Sequence, residues 1–292
     1  MRFLVAIKDT SKESKNILQI AVKIASGFGA DISVIFVGKK SRDIIASEVD
    51  LARKSLAEWN IYHPGLEVLE WAYQSLKELN FLPENEIEFK PENLVEDKNR
   101  VRMVLPYTSG QKIRLILREG QLLEELKKEL DFREYELIMV GNPKSNRNIH
   151  QIVQFLDSSI FIIKNFDPSW NYKILLCVDD SNSTKRAVMF GAQISKHFHA
   201  EVNVITVSKT KRFGKGYRNA SRWAGKYLNL QKVPHNVNMI TGKPTDTFVK
   251  QAGSDHIIVM GKAKGNEFFK YFKGSKPIHT AQKAECPILI VQ

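Results

Sequence analysis

The sequence predicts an α/β protein made of two tandem, doubly wound, five-stranded parallel sheets, with an insertion in the first. Three observations predict it. Continuous apolar runs such as Ile257-Ile258-Val259-Met260 and Ile288-Leu289-Ile290-Val291 suit strands covered on both faces. Segments of helical period alternate with these runs, as parallel strands require of their crossovers. The whole pattern then occurs twice in the chain.

The first element of each repeat is a strand ending in polar cap residues. Leu4-Val5-Ala6-Ile7-Lys8-Asp9-Thr10-Ser11 precedes a helical stretch over 14–27 and a strand over 31–37. Leu175-Leu176-Cys177-Val178-Asp179-Asp180-Ser181-Asn182 precedes a helix over 183–198 and a strand over 201–207. Apolar residues recur at three- and four-residue steps (Ile17, Leu18, Ala21, Ile24, Ala25; Ala187, Val188, Ala192, Ile194). Asp, Ser, Thr and Asn at the junctions are natural N-caps. Aligning the two strands run for run places Lys8 where Asp179 stands.

The second half of each repeat also recurs. A strand over 113–120, a helix over 122–130 and a strand over 137–141 echo 237–242, 245–252 and 257–261. Asn165-Phe166-Asp167-Pro168-Ser169 is a turn-rich junction, so the predicted domains are 1–168 and 169–292. Residues 41–111 have no counterpart of equal length. They read as amphipathic helices over 44–59 and 66–79, an acidic turn-rich stretch over 83–99 and a strand over 100–105, together elaborating a surface. The last strands of the two repeats, 159–164 and 287–291, are short and apolar, and are expected to pair with each other rather than leave open edges.

Of 292 residues, 43% are hydrophobic and 26% charged, a globular composition. No run approaches the ~20 apolar residues of a spanning helix. The N-terminal apolar run is too short for a secretory signal, so a cytoplasmic protein is expected. Cys177 and Cys286 lie in or beside apolar strands and are expected to be reduced core thiols. The net charge of +12 is distributed unevenly. Residues 1–168 hold 24 Lys and Arg against 25 Asp and Glu, and residues 169–292 hold 20 against 7, so the halves carry −1 and +13. That asymmetry points to an anionic partner for the second half.

The most informative motif follows the strand ending at Gly261. Lys262-Ala263-Lys264-Gly265 comes next, then Gly274-Ser275-Lys276-Pro277 opens an amphipathic helix before the final strand. Glycines admit a phosphate close to the backbone, and a helix N-terminus offers free N–H groups with partial positive charge. Other chemistry is absent from the sequence. None of the seven histidines sits in an H-x-x-x-H spacing, no C-x-x-C occurs, and neither a Gly-x-Ser-x-Gly elbow nor a Walker loop is found. No carboxylate pair suits acid–base work, and Glu124-Glu125 reads as a solvated helix face.

The tandem repeats, Asp179-Asp180-Ser181, and the Gly…Gly-Ser…Cys-Pro-Ile-Leu-Ile-Val ending resemble the universal stress protein family in its two-domain form. The resemblance covers nearly all the chain outside the insertion and implies an adenine-nucleotide alpha-hydrolase-like fold. It implies binding of ATP or another adenine nucleotide in the second domain, with any Mg2+ arriving alongside it. A stress-related regulatory role with little or no catalysis follows from the same resemblance. Carried over position by position, Asp179 meets the ribose or adenine, Val207 lines the base pocket with Cys177 nearby, and Met260 and Gly261 hold the base and ribose side. Gly274, Ser275 and Lys276 hold the phosphates. The inner glycine of the family's loop is displaced, with Lys264 in its place and Gly265 following. A lysine there can meet a phosphate as a point charge, or its Cβ can obstruct the approach. In the first domain the interval from Gly141 to Ile149 is too short for the loop, so that half is expected to serve pseudo-symmetric pairing, an intramolecular copy of the family's dimer. Whether two chains then associate into a homodimer is left open.

A competing reading rests on Lys209-Thr210-Lys211-Arg212-Phe213-Gly214-Lys215-Gly216-Tyr217-Arg218, followed by Arg222-Trp223 and Lys226-Tyr227. Cations interleaved with aromatics suit a polyanion or nucleic acid. They equally suit a loop leading into a helix whose Trp223 and Tyr227 pack on the sheet.

Overall fold

The computed structural model describes residues 1–38, 65–82, 87–97, 100–106, 111–143, 145–262 and 276–292. The chain divides into two compact units, Met1–Val22 with Ala30–Tyr135, and Lys23–Gly29 with Glu136–Gln292. The expected helix over 44–59 and the loop residues Lys264, Gly265, Gly274 and Ser275 lie outside the described residues.

In the first unit, strands β1 (Arg2–Ile7), β2 (Asp31–Gly38), β3 (Val95–Glu96), β4 (Arg100–Pro106) and β5 (Lys112–Glu119) lie in the order β1-β2-β5-β4-β3. β1, β2 and β5 are parallel, while β4 runs antiparallel to both β5 and β3. Helix α1 (Lys12–Phe28) links β1 to β2, and its Ile17, Leu18, Ala21, Ile24 and Ala25 are all buried, as the three- and four-residue spacing requires. Helix α2 (Leu66–Glu78) stands between β2 and β5 in chain order and buries Leu69, Ala72 and Leu76. It starts after Gly65, whose φ of +109° suits glycine and whose Cβ would lie 2.6 Å from the Phe36 ring. Among the described residues the short antiparallel pair β3–β4 has no equivalent in the second repeat.

Helix α3 (Leu122–Phe132) overturns one expectation. Glu124 is exposed, but Glu125 is buried and belongs to a charged cluster with Glu129. Glu129 accepts from Arg100 Nη2 at 2.6 Å, Arg118 Nη2 at 2.8 Å and Nε at 3.0 Å, and Tyr135 Oη at 3.1 Å. Arg118 Nη1 lies 3.5 Å from Glu125 Oε2. Register Arg100↔Arg118 on β4 and β5 sets the two guanidiniums side by side, and both sit over the Phe132 ring at 5.4 and 5.3 Å. Burial, and then the Glu129 charge, push the Tyr135 hydroxyl up to about 12. The sequence spacing of Glu125 is that of a helix flank. Only the β4–β5 pairing reveals that the flank faces arginines.

In the second unit, strands β6 (Leu137–Gly141), β7 (Ser159–Ile163), β8 (Lys173–Cys177), β9 (Val202–Ser208), β10 (His235–Thr241), β11 (His256–Gly261) and β12 (Ile288–Val291) lie in the order β10-β9-β8-β11-β12-β7-β6. From β10 to β12 all neighbours are parallel. Their order, third-second-first-fourth-fifth, is the doubly wound arrangement, with its switch point between β8 and β11. The helices are α4 (Asn146–Phe155), α5 (Ser183–Phe198), α6 (Lys215–Leu230), α7 (Pro244–Ala252) and α8 (Lys276–Lys283). α6 has the place between β9 and β10 that α2 has between β2 and β5.

β12 pairs antiparallel with β7 in register Ile288↔Ile162, Leu289↔Phe161 and Ile290↔Ile160, so the last strands of the two repeats do join. All residues of both strands are buried. Lys164, immediately after β7, is also buried, and donates Nζ to Ala281 O at 2.7 Å and Ala284 O at 3.0 Å. It thereby caps the C-terminal end of α8, where carbonyls lack helical partners and the dipole favours a cation. Burial lowers the Lys164 amine below its ordinary value.

Candidate functional site

The switch point places the carboxyl ends of β8 and β11 side by side, with Cys177 opposite Met260 in register. Alternation along the strands puts Cys177, Met260 and, through Cys177↔Ile205, Val207 on one face of the sheet. All three side chains are buried. Burial raises the Cys177 thiol well above its ordinary value, with the Asp179 charge adding to it, so it is a core thiol rather than a nucleophile. Cys286 is buried too and is raised to about 11, chiefly by burial.

Asp179 stands two residues past β8, where the chain turns into α5. Its Oδ1 accepts from the Ser181 backbone N at 3.0 Å, Ser181 Oγ at 2.6 Å and Thr184 Oγ1 at 2.9 Å. This closes the strand-to-helix turn. Its Oδ2 lies 3.6 Å from Lys276 Nζ, which comes from the first residue of α8. Burial pushes this carboxyl up, but the bonds from Ser181 and Thr184 and the Lys276 charge outweigh it and hold it below the usual value. The carboxylate is therefore ionised at neutral pH. A capping role takes Oδ1, leaving Oδ2 facing the cation.

Gly261 has a structural reason of its own. A Cβ there would lie 2.5 Å from Ser183 Oγ and 2.8 Å from the Ser183 carbonyl carbon. It would point at the start of α5, on the sheet face opposite Met260. On the other flank of the site α6 starts close to the turn, since a Cβ on Gly216 would lie 2.9 Å from Asp180 Cβ. The structure thus brings together Cys177, Asp179, Val207, Met260, Gly261 and Lys276.

The first repeat repeats the turn but not the site. Asp9 Oδ1 accepts from Ser11 N at 3.0 Å, from Ser11 Oγ, and from Ser14 Oγ at 2.9 Å. Asp9, two residues past β1, is therefore the counterpart of Asp179, which corrects the alignment that set Lys8 there. Lys8 instead pairs with Glu13. After β6, α4 begins at Asn146 with Ser145 as its cap, accepting from Asn148 N at 3.2 Å. No room remains for a loop like that between Gly261 and Lys276.

A separate groove of about 190 Å3, open to solvent, is lined by Leu175, Asn203, Asn238, Gln251 and His256 among others. It does not coincide with the switch point. Its histidine is internally satisfied: Nε2 lies 3.0 Å from Asn203 Nδ2, and Nδ1 lies 2.9 Å from Ala252 O. Among the described residues no group of His, Cys, Asp or Glu suits a metal ion, and no helix is long and apolar enough to cross a membrane.

Residues 171–292 match the sequence description of the universal stress protein family. The match takes in the whole of the second repeat, from the start of β8 to the end of the chain. Over the full length the fold is shared with solved tandem proteins. A universal stress protein from Archaeoglobus fulgidus overlays 100% of this chain and 96% of its own at 16% identity, with a TM-score of 0.63. A putative universal stress protein from Pseudomonas aeruginosa overlays 99% and 92% at 15% identity, with a TM-score of 0.62. A shorter universal stress protein, solved in complex with cAMP, overlays 41% of this chain and 97% of its own at 19% identity, with a TM-score of 0.35. No curated protein matches the chain at a significant level.

Proposed function

We propose that the domain of residues 169–292 binds ATP or another adenine nucleotide at the switch point, and that the domain of residues 1–168 does not. The observation that carries this reading is the meeting of Asp179 Oδ2 with Lys276 at the N-terminus of α8, beside the wall of Cys177, Val207 and Met260. A parallel sheet of this order places ligands there. Asp179 Oδ2 accepts a hydrogen bond from the ribose or the adenine. Val207, Cys177 and Met260 back the base, with Gly261 beside them. Lys276 turns from Asp179 to the phosphates, joined by Ser275 and Gly274 and, through the loop, by Lys264 and Gly265. If Mg2+ accompanies the nucleotide, phosphate oxygens hold it.

Among the described residues none around Asp179 is placed to activate a water, because its Oδ2 faces an ammonium and its Oδ1 already accepts three hydrogen bonds. The proposed role is therefore that of a nucleotide-responsive stress or regulatory protein in the cytoplasm, with little or no turnover. The test is titration calorimetry on the full chain. Gly274→Val puts a branched side chain where the backbone should approach phosphate, and is expected to lower ATP affinity at least about tenfold, or about 1.4 kcal/mol, leaving the melting temperature of the free protein in place. Unchanged affinity would remove the loop from the site.

Lys276→Ala separates the two duties of that ammonium. ATP binding should weaken by roughly three- to tenfold, in line with one charge-assisted contact of about 1 kcal/mol. Adenosine, which has no phosphate and competes with Lys276 for Asp179, should bind no more weakly than before. Equal losses for both ligands would show that Lys276 shapes the pocket rather than reads phosphate.

A further inference from the structure

Much of the charge of the second half falls in one stretch of the sequence. Between residues 181 and 245 there are twelve Lys and Arg against a single acidic residue, Glu201. Glu201 is engaged by Asn236, whose Nδ2 donates to it at 2.6 Å. α5 and α6 lie next to each other: Lys185 Nζ stands 5.8 Å over the Trp223 ring, and Lys196 Nζ donates to Gln231 Oε1 at 2.6 Å. α6 buries Ser221, Ala224, Gly225 and Leu228. Lys185 and Arg186 of α5 and Lys215, Arg218, Arg222 and Lys226 of α6 are exposed. Arg218, Arg222 and Lys226 follow one another at single-turn steps of about 6 Å. Among the described residues none of these six cations has a carboxylate partner. Trp223 and Tyr227, half-buried beside the row, stack on each other with ring centres 5.4 Å apart and planes 19° apart.

We propose that this outer face of α5 and α6 binds a single-stranded nucleic acid, its phosphates along the Arg218–Arg222–Lys226 row and its bases against the Trp223–Tyr227 pair. A row of uncompensated cations repels itself and is relieved by a ligand with closely spaced negative charges. The aromatic pair selects among polyanions, because unpaired bases present flat faces to stack and a duplex does not. A membrane surface fits less well. A helix that lies in a lipid interface must bury its apolar face there, and α6 already buries that face against its own domain. The proposal is independent of the nucleotide site, whose Cys177, Val207 and Met260 lie on the other face of the sheet and whose Asp179, Gly261 and Lys276 lie at its carboxyl edge.

The test uses the full chain and a fluorescein-labelled 20-nucleotide oligouridine, read by anisotropy at 50 and 200 mM salt. Three phosphate contacts, one for each cation of the row, give a slope of about −2.1 in log affinity against log salt, or roughly eighteen-fold between the two conditions. The double reversal Arg222→Glu with Lys226→Glu is expected to weaken binding at 50 mM salt at least about tenfold and to flatten the slope by about 1.4. Trp223→Leu should weaken oligouridine at least roughly fivefold, within the range for loss of one stacked base, while binding of dextran sulfate stays unchanged. Far-UV circular dichroism and ATP titration should be the same for the double reversal as for the parent chain. The proposal is overturned by no oligouridine binding at 50 mM salt or by binding indifferent to the double reversal. Stronger binding to anionic phospholipid vesicles, or an equal effect of Trp223→Leu on dextran sulfate, would overturn it as well.

Discussion

Glu129→Ala is expected to destabilise the protein by about 3–5 kcal/mol, the cost of leaving a buried charge without its partner. The carboxylate is fully buried and receives four hydrogen bonds, from Arg100, Arg118 twice, and Tyr135. Removing it leaves the Arg100 and Arg118 guanidiniums facing the Phe132 ring and each other. Glu125, at 3.5 Å from Arg118 Nη1, is too distant to replace a paired contact of 2.8 Å. The neighbouring Glu124→Ala is the control: its side chain is exposed, and its effect should stay within about 0.5 kcal/mol. Urea unfolding monitored by circular dichroism compares the two. A Glu129→Ala change of under about 1 kcal/mol would mean that water enters the cluster and that its burial has been overstated.

Gly261→Ala is the second large effect. One methyl group would arrive 2.5 Å from Ser183 Oγ and 2.8 Å from its carbonyl carbon. Ser183 is the first residue of α5, whose Ala187, Val188 and Ala192 are buried. The helix start must move, at a cost of about 1–3 kcal/mol for overpacking. The same movement reaches Asp179, because Ser181 and Thr184 hold its Oδ1. Thermal melting should therefore fall by several degrees and ATP affinity should fall with it. Gly274→Val, by contrast, is expected to lower affinity alone. A Gly261→Ala protein with the parent's melting temperature would show that α5 yields freely, and the glycine would then belong to the ligand rather than to the helix.

These two residues illustrate what local sequence conveys. Gly261 stands out in the sequence as part of a ligand loop, yet the contact that demands a glycine there is with a helix start seventy-eight positions earlier (261 − 183). Glu129 belongs to no pattern in the sequence and Glu125 reads there as solvated, because their partners, Arg100 and Arg118, belong to strands whose antiparallel pairing has no local signal. Lys8 and Asp9 show a third limit. Run-for-run alignment of apolar stretches places a strand well but its last residue poorly, and a one-residue slip exchanges a lysine for the aspartate that closes the turn.

What the sequence by itself determined was the succession of elements. The helix over 183–198 coincides with α5 from end to end, and the strands of the second repeat lie within two residues of their expected bounds, since apolar period and cap residues act over a few neighbours. It also determined that the repeats' last strands would pair, because two short apolar edges are costly to leave open. The tertiary structure alone decided which atoms meet. It set Asp179 Oδ2 against Lys276, buried Glu129 among arginines, and ranged along two helices six exposed cations that have no carboxylate partner among the described residues. Those outcomes depend on distances between residues far apart in the chain. Such distances follow from packing and strand order, which no local pattern of side chains contains.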